Sequence, residues 1–479
     1  MNRSIIRFIL CRVMQFEGAF FLLPCIVAII YHEEQGVVFA FSAAAAFALG
    51  TLGCMFKPKS TVFYAREGFV TVSLSWILLS LIGAIPFVAT GEIPNYTDAL
   101  FETVSGFTTT GASVLTDVEA MSKTTMFWRC FTNWIGGMGV LVFIMSILPL
   151  SGSYNMNLMK AESTGAEVGK IVPRVKDTAK VLYGIYIGLS VVLVILFLFS
   201  GMNLYEALII TFSNMGTGGF ANLNASLGGY SHSAQVIATI FMLLCAVNFN
   251  VYYLIITKRF KDIHKLEEVR WYLIIVAVSI TIITFNARSS FETLYDSFHH
   301  SAFQVASIIS TTGFATADFN TWPMLSKAIL LMLMLVGGCA GSTCGGIKVS
   351  RLLLSLRTLK RELNHITHPR SVKKIQYGGN AVTEETVRSV GSFMIAYIFV
   401  FVVSNLVVAI DNFDFQTTFS AVLACLGNIG PGLGIVGPTG NYSTLSAFSK
   451  LILSFDMLAG RLEIFPMLVL FYTGTWKRN

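Results

Sequence analysis

Long apolar stretches separated by short polar connections dominate the chain. Because the hydrocarbon core of a bilayer is about 30 Å thick, a membrane-spanning helix needs about 20 mostly apolar residues. The pattern predicts ten such spans, near residues 13–31, 37–56, 69–89, 126–149, 181–200, 234–257, 271–287, 324–356, 389–410 and 446–472, with the eighth interrupted. An all-α integral membrane protein is therefore predicted.

Four further segments, each too short to cross a membrane, lie between alternate spans and end in a glycine-rich turn. In register they read DALFETVSGFTTTG (98–111), EALIITFSNMGTGG (206–219), HSAFQVASIISTTG (300–313) and TTFSAVLACLGNIG (417–430). Each predicts a half-membrane helix that ends in a turn.

The four segments share specific positions. A small residue stands six positions before the last glycine: Ser105, Ser213, Ser307 and Ala424. A residue with a side-chain oxygen stands two before it: Thr109, Thr217, Thr311 and Asn428. The final glycines, Gly111, Gly219, Gly313 and Gly430, are 108, 94 and 117 residues apart. A period of about a hundred residues indicates duplication of one unit.

The unit is a helix, a half-helix, a glycine turn and a second helix, which gives four repeats after two extra N-terminal transmembrane helices. The predicted divisions are 1–66 for the extra helices and 67–175, 176–264, 265–375 and 376–479 for the repeats. Around a pseudo-fourfold pore, four such turns would make a filter lined by carbonyl oxygens that replaces the hydration shell of a monovalent cation. Glycine suits this role because it tolerates positive φ. Any one turn alone would read as a polar connection between helices; four in register favour an ion site.

Composition and charge support the prediction of a membrane protein. Apolar residues make up 54% of the chain and charged residues 12%, against about 25% charged in soluble domains. The net charge of +7 comes from Lys and Arg beside apolar spans, which predicts membrane orientation and no nucleic-acid partner. The basic segments 151–180, 258–270 and 351–388 are predicted to be cytoplasmic and to form a docking face for a regulatory partner.

These motifs resemble the superfamily of potassium transporters that includes bacterial Trk and Ktr subunits and plant HKT proteins. GGCAGSTCGGIK, from Gly337 to Lys348, and DMLAGRLEIFP, from Asp456 to Pro466, resemble family hallmarks, and the two extra helices resemble the Trk branch. The resemblance implies a multi-pass protein of the bacterial inner membrane with K⁺ as the transported ion and no organic cofactor. It also implies a homodimer assembled with an RCK-type nucleotide-binding regulatory subunit.

The same resemblance assigns two sets of site residues. The implied K⁺ filter is Thr109, Thr110, Gly111, Thr217, Gly218, Gly219, Thr311, Thr312, Gly313, Asn428, Ile429 and Gly430. The implied gate is Gly337, Gly338, Gly341, Ser342, Thr343, Gly345, Gly346, Lys348 and Arg461. Since each glycine costs a helix about 1 kcal/mol, the glycine run predicts a break within the eighth span. A close-packed contact of small residues between helices is the alternative.

Two gate residues carry charge. Arg461 lies within the last span, where a lone arginine costs about 2.5–3.5 kcal/mol. Asp456 and Glu463, five and two residues away, do not share its helical face. A structural ion pair with another helix and a positive barrier facing the pore both remain open. Lys348 is either part of the gate or a side chain that snorkels to the cytoplasm.

Two other function classes compete with channel-like uptake. A secondary symporter coupled to H⁺ or Na⁺ also uses broken helices and repeats, but here all four half-helices enter from the same face. A membrane enzyme needs a catalytic cluster, and the sequence shows no HExxH, no paired intramembrane aspartates and no Ser/His/Asp grouping. We therefore expect a channel-like protein and no enzyme.

Overall fold

The chain folds into a bundle of helices. The computed structural model describes residues 1–56, 58, 64–139, 175–263, 266–371 and 373–477. Within these ranges the only strands are Gln376–Tyr377 and Asn380–Ala381, which pair as a small antiparallel hairpin. The predicted all-α class is confirmed. The end of the predicted span 126–149 and most of the predicted docking segment 151–180 lie outside the described residues.

Two N-terminal spans precede the repeats. The first consists of Arg3–Phe20 and Leu22–Tyr31, and the second is Gln35–Met55. A side-chain carbon at Gly50 would lie 2.7 Å from the carbonyl oxygen of Cys11. Small residues allow helix backbones to approach this closely inside a membrane, where no hydrophobic force drives helices together.

Each of the four repeats has an outer helix, a half-helix and an inner helix. The outer helices are Ala65–Gly83 continued by Ile85–Ala89, Val175–Phe199, Glu267–Asn286 and Glu384–Val408. Half-helices 1 to 4 are Tyr96–Phe107, Leu204–Gly216, Leu294–Ile309 and Phe415–Leu426. Inner helices 1 to 4 are Lys123–Met138, His232–Cys245, Met324–Val336 and Ala447–Arg461.

Shorter elements connect these helices. The remaining α-helices are Asn250–Ile256, Phe260–Ile263, Val349–Thr367, Phe465–Phe471 and Thr473–Trp476. Single 3₁₀ turns occur at Ser226–Gly229, Arg288–Ser290, Phe319–Thr321, Ala409–Asp411 and Gly434–Val436.

The inner helices are all too short to cross a bilayer alone. They contain 16, 14, 13 and 15 residues, and at about 1.5 Å per residue none reaches the roughly 30 Å of the hydrocarbon core. After inner helix 2 the chain bends by 97° before Asn250–Ile256. After inner helix 4, Glu463 and Ile464 have φ of 59° and 66°. The predictions of continuous spans at 234–257 and 446–472 are therefore wrong.

The remaining spans divide into continuous and interrupted ones. Among the described residues, six helices are long and apolar enough to cross a membrane, and each coincides with one of the ten predicted spans. The predicted interruption of span 324–356 is present, because residues 337–348 form no helix. We call residues 337–348 the intramembrane loop.

Polar side chains cap the N-termini of the half-helices. Asn95, Asn203, Thr293 and Asp414 each accept a hydrogen bond from a backbone amide of the first turn. Such caps satisfy amides that have no partner within the helix. Half-helix 3 begins at Leu294, earlier than the predicted start at His300, because Thr293 caps it there.

Aromatic packing fixes the N-terminal helices to repeat 1. The ring of Trp128 lies 4.6 Å from that of Phe21 and 6.0 Å from that of Phe107, at the end of half-helix 1. The Trp128 indole nitrogen donates a 3.1 Å hydrogen bond to the carbonyl of Gly83. The end of half-helix 1 is therefore held by buried side chains on both neighbouring helices.

Candidate functional site: a ring of four backbone turns and the loop beside it

Each half-helix is followed by a three-residue strip, and the four strips have the same hydrogen bonds. The strips are residues 109–111, 217–219, 311–313 and 428–430. The amide of the middle residue donates to the carbonyl of the predicted small residue at 2.8 Å in all four: Thr110 to Ser105, Gly218 to Ser213, Thr312 to Ser307 and Ile429 to Ala424. Together with a bond from the first strip residue to the carbonyl three positions back, this is a Schellman ending.

The first residue of every strip is in the left-handed region. Thr109, Thr217, Thr311 and Asn428 have φ of 55°, 55°, 53° and 55°. Asparagine tolerates this conformation, but threonine is β-branched and rarely adopts it. Strain of about 1–3 kcal/mol at each such residue persists only where the surroundings impose it. The same strained geometry in three threonines marks these turns as a candidate functional site.

The last residue of every strip also has positive φ. Gly111, Gly219, Gly313 and Gly430 have φ of 80°, 69°, 84° and 95°. The prediction that these glycines adopt a conformation that other residues avoid is confirmed by the backbone.

The four glycines form a closed ring. A side-chain carbon on each would come closer than 3.0 Å to a carbonyl oxygen of the next strip: Gly111 to Gly218, Gly219 to Thr312, Gly313 to Ile429 and Gly430 to Thr110. The order runs from strip 1 through strips 2, 3 and 4 and back to strip 1. The twelve strip residues predicted from the sequence are thus brought together around one axis.

A cavity of about 150 Å³ lies over the ring and is lined by the glycines of all four strips. We call it the vestibule. Asp117 stands in the chain between Thr116 and Val118, which line the vestibule, and a side-chain hydrogen bond from Asn224, together with the backbone amide of Glu119, lowers the pKa of the Asp117 carboxyl. The Asp117 carboxylate is therefore ionised at neutral pH and favours cations near the vestibule.

A buried ion pair supports the vestibule wall. Arg129 Nε lies 2.7 Å from Glu102 Oε1, and both side chains are buried. Glu102 also accepts from the amide of Val114 at 2.9 Å, and the guanidinium lies 3.7 Å from the ring of Phe220. This pair was not predicted from the sequence. The available signal is an acidic residue in the middle of half-helix 1 and a basic residue inside the next span.

The intramembrane loop packs directly against the strips. The amide of Gly345 donates a 2.8 Å hydrogen bond to Thr311 Oγ1, and a side-chain carbon at Gly345 would collide with the carbonyl of Gly427. On its other side, the amide of Cys339 donates to the carbonyl of Ala246 at 2.9 Å, where inner helix 2 ends. The loop therefore fills the space between strips 3 and 4 and the break in repeat 2.

Glu268 joins the loop to the start of the helix that follows it. One oxygen of its buried carboxylate accepts from the amides of Ala340 at 2.7 Å and Ser350 at 3.0 Å. The role of Glu268 was not predicted from the sequence, because its two partners lie far away along the chain. A carboxylate that accepts from two backbone amides is well suited to hold a glycine-rich segment in one conformation.

Arg461 bridges the loop and repeat 1. Its guanidinium donates to the carbonyl of Thr343 in the loop and to the carbonyls of Gly136 and Gly137 near the end of inner helix 1. Helix C-termini favour positive charge. Glu463, the acid closest to Arg461 in sequence, forms an ion pair with Arg351.

Lys348 lies inside the protein, with 1% of its surface exposed. Its ammonium group donates to the carbonyl of Cys344 in the loop. The alternative that Lys348 snorkels to water is therefore wrong. The alternative that Gly337–Gly346 form a close helix contact is also wrong, because the segment is not helical.

Comparison with known proteins places this architecture among transporters. The model of the TrkH family, described as "Cation transport protein", matches residues 35–475. The Trk system potassium uptake protein TrkH of Salmonella typhimurium is 36% identical over 485 residues, which is 99% of each chain. The Trk system potassium uptake protein TrkG of Escherichia coli is 34% identical over 460 residues, covering 95% of this chain and 94% of its own.

A solved structure is similar over the whole length. The crystal structure of the potassium transporter TrkH from Vibrio parahaemolyticus superposes with a TM-score of 0.90 at 33% identity and covers 100% of both chains. The helical repeats are therefore those of a known transporter fold.

Proposed function

The chain belongs to the TrkH family of cation transport proteins and is a multi-pass inner-membrane protein, and from that premise we propose that it conducts K⁺ into the cell through the ring of four strips. The observation that carries the proposal is the closed order of the four glycines, each facing a carbonyl of the next strip. A ring of carbonyl oxygens at membrane depth can replace the hydration shell of a cation.

The electrostatics of the ring favour a cation without any acidic side chain. The twelve strip residues include no Asp or Glu. Each of the four half-helices points its C-terminal end at the ring, and each end carries roughly half a negative charge. The sequence-implied filter residues, from Thr109 to Gly111 and their counterparts, are thus proposed to bind K⁺ through their backbone carbonyls.

We propose that the intramembrane loop is the gate and that this structure has the loop in a blocking position. The loop is tied to the strips by Thr311, to inner helix 1 through Arg461, and to the outer helix of repeat 3 by Glu268. Conduction would require the loop to move and exchange these bonds. Arg461 adds a fixed positive charge beside the path, which raises the barrier for a second positive charge.

Assembly is also proposed. The relatives are named as parts of a Trk system, and the helix Val349–Thr367 carries exposed or half-buried basic residues, including Arg357, Lys360 and Arg361. We propose a homodimer that docks an RCK-type nucleotide-binding subunit on this basic face. Replacing Lys360 and Arg361 by Glu should weaken co-purification with that subunit, whereas uptake by the isolated protein should persist.

Ion flux into liposomes tests the proposed function. Purified protein should admit K⁺ and Rb⁺ in preference to Na⁺ and Li⁺ when only the ion's own gradient is present. Flux that required an added H⁺ or Na⁺ gradient would indicate a symporter. The absence of cation flux from folded protein, with both gradients supplied, would overturn the proposal.

A further inference from the structure

One of the four ring glycines has a hydrogen-bond donor on its carbonyl. The hydroxyl of Tyr442 donates a 2.7 Å hydrogen bond to the carbonyl oxygen of Gly430. Tyr442 is buried, its ring lies 5.4 Å from that of Phe101, and its amide donates to the carbonyl of Ser113 at 2.8 Å. Three contacts therefore hold the phenol against strip 4.

The other three glycines differ from Gly430. Within the described ranges, no donor lies on the carbonyls of Gly111, Gly219 or Gly313. In repeat 3 the carbonyl that accepts from a side chain is that of the next residue, Phe314, bonded by Ser307 Oγ at 2.6 Å. In repeat 4 the carbonyl that accepts from a side chain is therefore that of the last strip residue, whereas in repeat 3 it is that of the residue after the strip.

The Tyr442 side chain is 2% exposed and packs against Phe101 of half-helix 1, so its hydroxyl reaches Gly430 from within the protein. A carbonyl that accepts from a hydroxyl enclosed by protein is drawn toward the protein and away from the open axis of the ring. Of the twelve strip residues, all of which the structure describes, only the four final glycines line the vestibule, so they form the outermost level of the ring.

We propose that Tyr442 is a specificity-determining residue that holds the Gly430 carbonyl off the axis. The outermost level then offers three glycine carbonyls, from Gly111, Gly219 and Gly313. An ion entering from the vestibule keeps water on the side of strip 4 and is held less tightly than in a complete ring. The inference rests on the proposed conduction of K⁺ through the strips, and it adds a difference between repeats that the fourfold pattern of the sequence conceals.

Tyr442→Phe tests this inference. Without the hydroxyl, the Gly430 carbonyl has lost its donor, and a buried carbonyl without a partner turns toward the ion or water on the axis. We expect K⁺ to bind purified protein more tightly by about fivefold, an effect typical of one hydrogen bond. Isothermal titration with K⁺ and Rb⁺ measures the binding, and the half-saturating K⁺ concentration for liposome uptake should fall in parallel.

Tyr397→Phe is the matched control. The Tyr397 hydroxyl is also buried, on the helix Glu384–Val408, and has no hydrogen-bond partner in the described structure. Its removal should leave K⁺ binding unchanged. Unchanged or weaker K⁺ binding by folded Tyr442→Phe protein would overturn the inference.

The proposed function and the role of Tyr442 can be tested separately. If Gly219→Ser protein keeps its K⁺ over Na⁺ preference, the proposed function fails and the Tyr442 inference fails with it. If Gly219→Ser loses the preference and Tyr442→Phe behaves as wild type, the strips conduct and only the role of Tyr442 is wrong.

Discussion

The hydroxyl of Thr311 accepts a 2.8 Å hydrogen bond from the backbone amide of Gly345. One of these residues lies in strip 3 and the other in the intramembrane loop, so the proposed filter and the proposed gate share a direct bond. A loop that moves must break it. The strength of this contact therefore bears on how often the path opens.

Thr311→Val should raise K⁺ flux. Valine keeps the branched shape but removes the acceptor, and leaving a buried amide without a partner costs about 1–3 kcal/mol in the blocked state. Stopped-flow liposome flux measures the change. Thr109→Val is the control, because the Thr109 hydroxyl occupies the equivalent position in strip 1 and has no hydrogen-bond partner in the described residues. Equal flux in the two variants would contradict the coupling.

Glu268→Ala should raise flux more than Glu268→Gln. Alanine frees the amides of Ala340 and Ser350, whereas glutamine retains one acceptor oxygen. The neighbouring Glu267 bonds Arg357 and the amide of Gly378, away from the loop. Glu267→Gln should therefore leave flux near wild type. An effect of Glu267→Gln as large as that of Glu268→Ala would show a general loss of stability instead.

Arg461→Met should raise cation flux, and Arg461→Lys should do so less. Methionine fills much of the volume but removes both the charge and the bonds to Thr343 and Gly137. Lysine keeps the charge and can bond fewer carbonyls. If Arg461→Met protein is monodisperse in detergent and conducts no more than wild type, the barrier role is wrong.

Gly345→Ala should open the path without changing which ions pass. Its new methyl group would meet the Gly427 carbonyl and the Asn428 side chain, so the loop cannot keep its present position. Gly391→Ala is the control, since nothing lies within 4 Å of a side-chain carbon there. A changed order of K⁺, Rb⁺ and Na⁺ at unchanged flux would show that the loop belongs to the filter and is no gate.

The half-helices and the ring glycines could be predicted from the sequence, because the same apolar pattern and the same final glycine occur four times along the chain. The loop could be predicted because its glycines oppose helix formation. The left-handed conformation of Thr109, Thr217 and Thr311 could not, because local preference opposes it and only the packed ring imposes it.

The breaks after inner helices 2 and 4 were also hidden from sequence reasoning. Neither contains a glycine run, and the freed carbonyl of Ala246 is satisfied by Cys339 of the loop, a partner distant in sequence. The roles of Glu268, Tyr442 and the Glu102–Arg129 pair were missed for the same reason. Their contacts exist only once the four repeats are assembled.

In the proposed function, the four glycines shape a ring that selects K⁺. Serine at Gly111, Gly219, Gly313 or Gly430 would add a side chain where the carbonyl of the next strip lies. Sodium needs fewer well-placed carbonyls than potassium, so the K⁺ over Na⁺ preference should fall at all four positions while the protein still folds.

Rubidium and sodium uptake by liposomes that carry the four glycine variants measures this preference. Gly91→Ser and Gly201→Ser are the controls, because their φ of 77° and 96° impose the same backbone strain with nothing within 4 Å of the new side chain. We expect Rb⁺ over Na⁺ selectivity to fall by about tenfold in the ring variants, equivalent to about 1.4 kcal/mol, and to stay at the wild-type value in the controls. Unchanged selectivity at all four ring positions would contradict the proposed role of the ring and would mean that the ion path lies elsewhere.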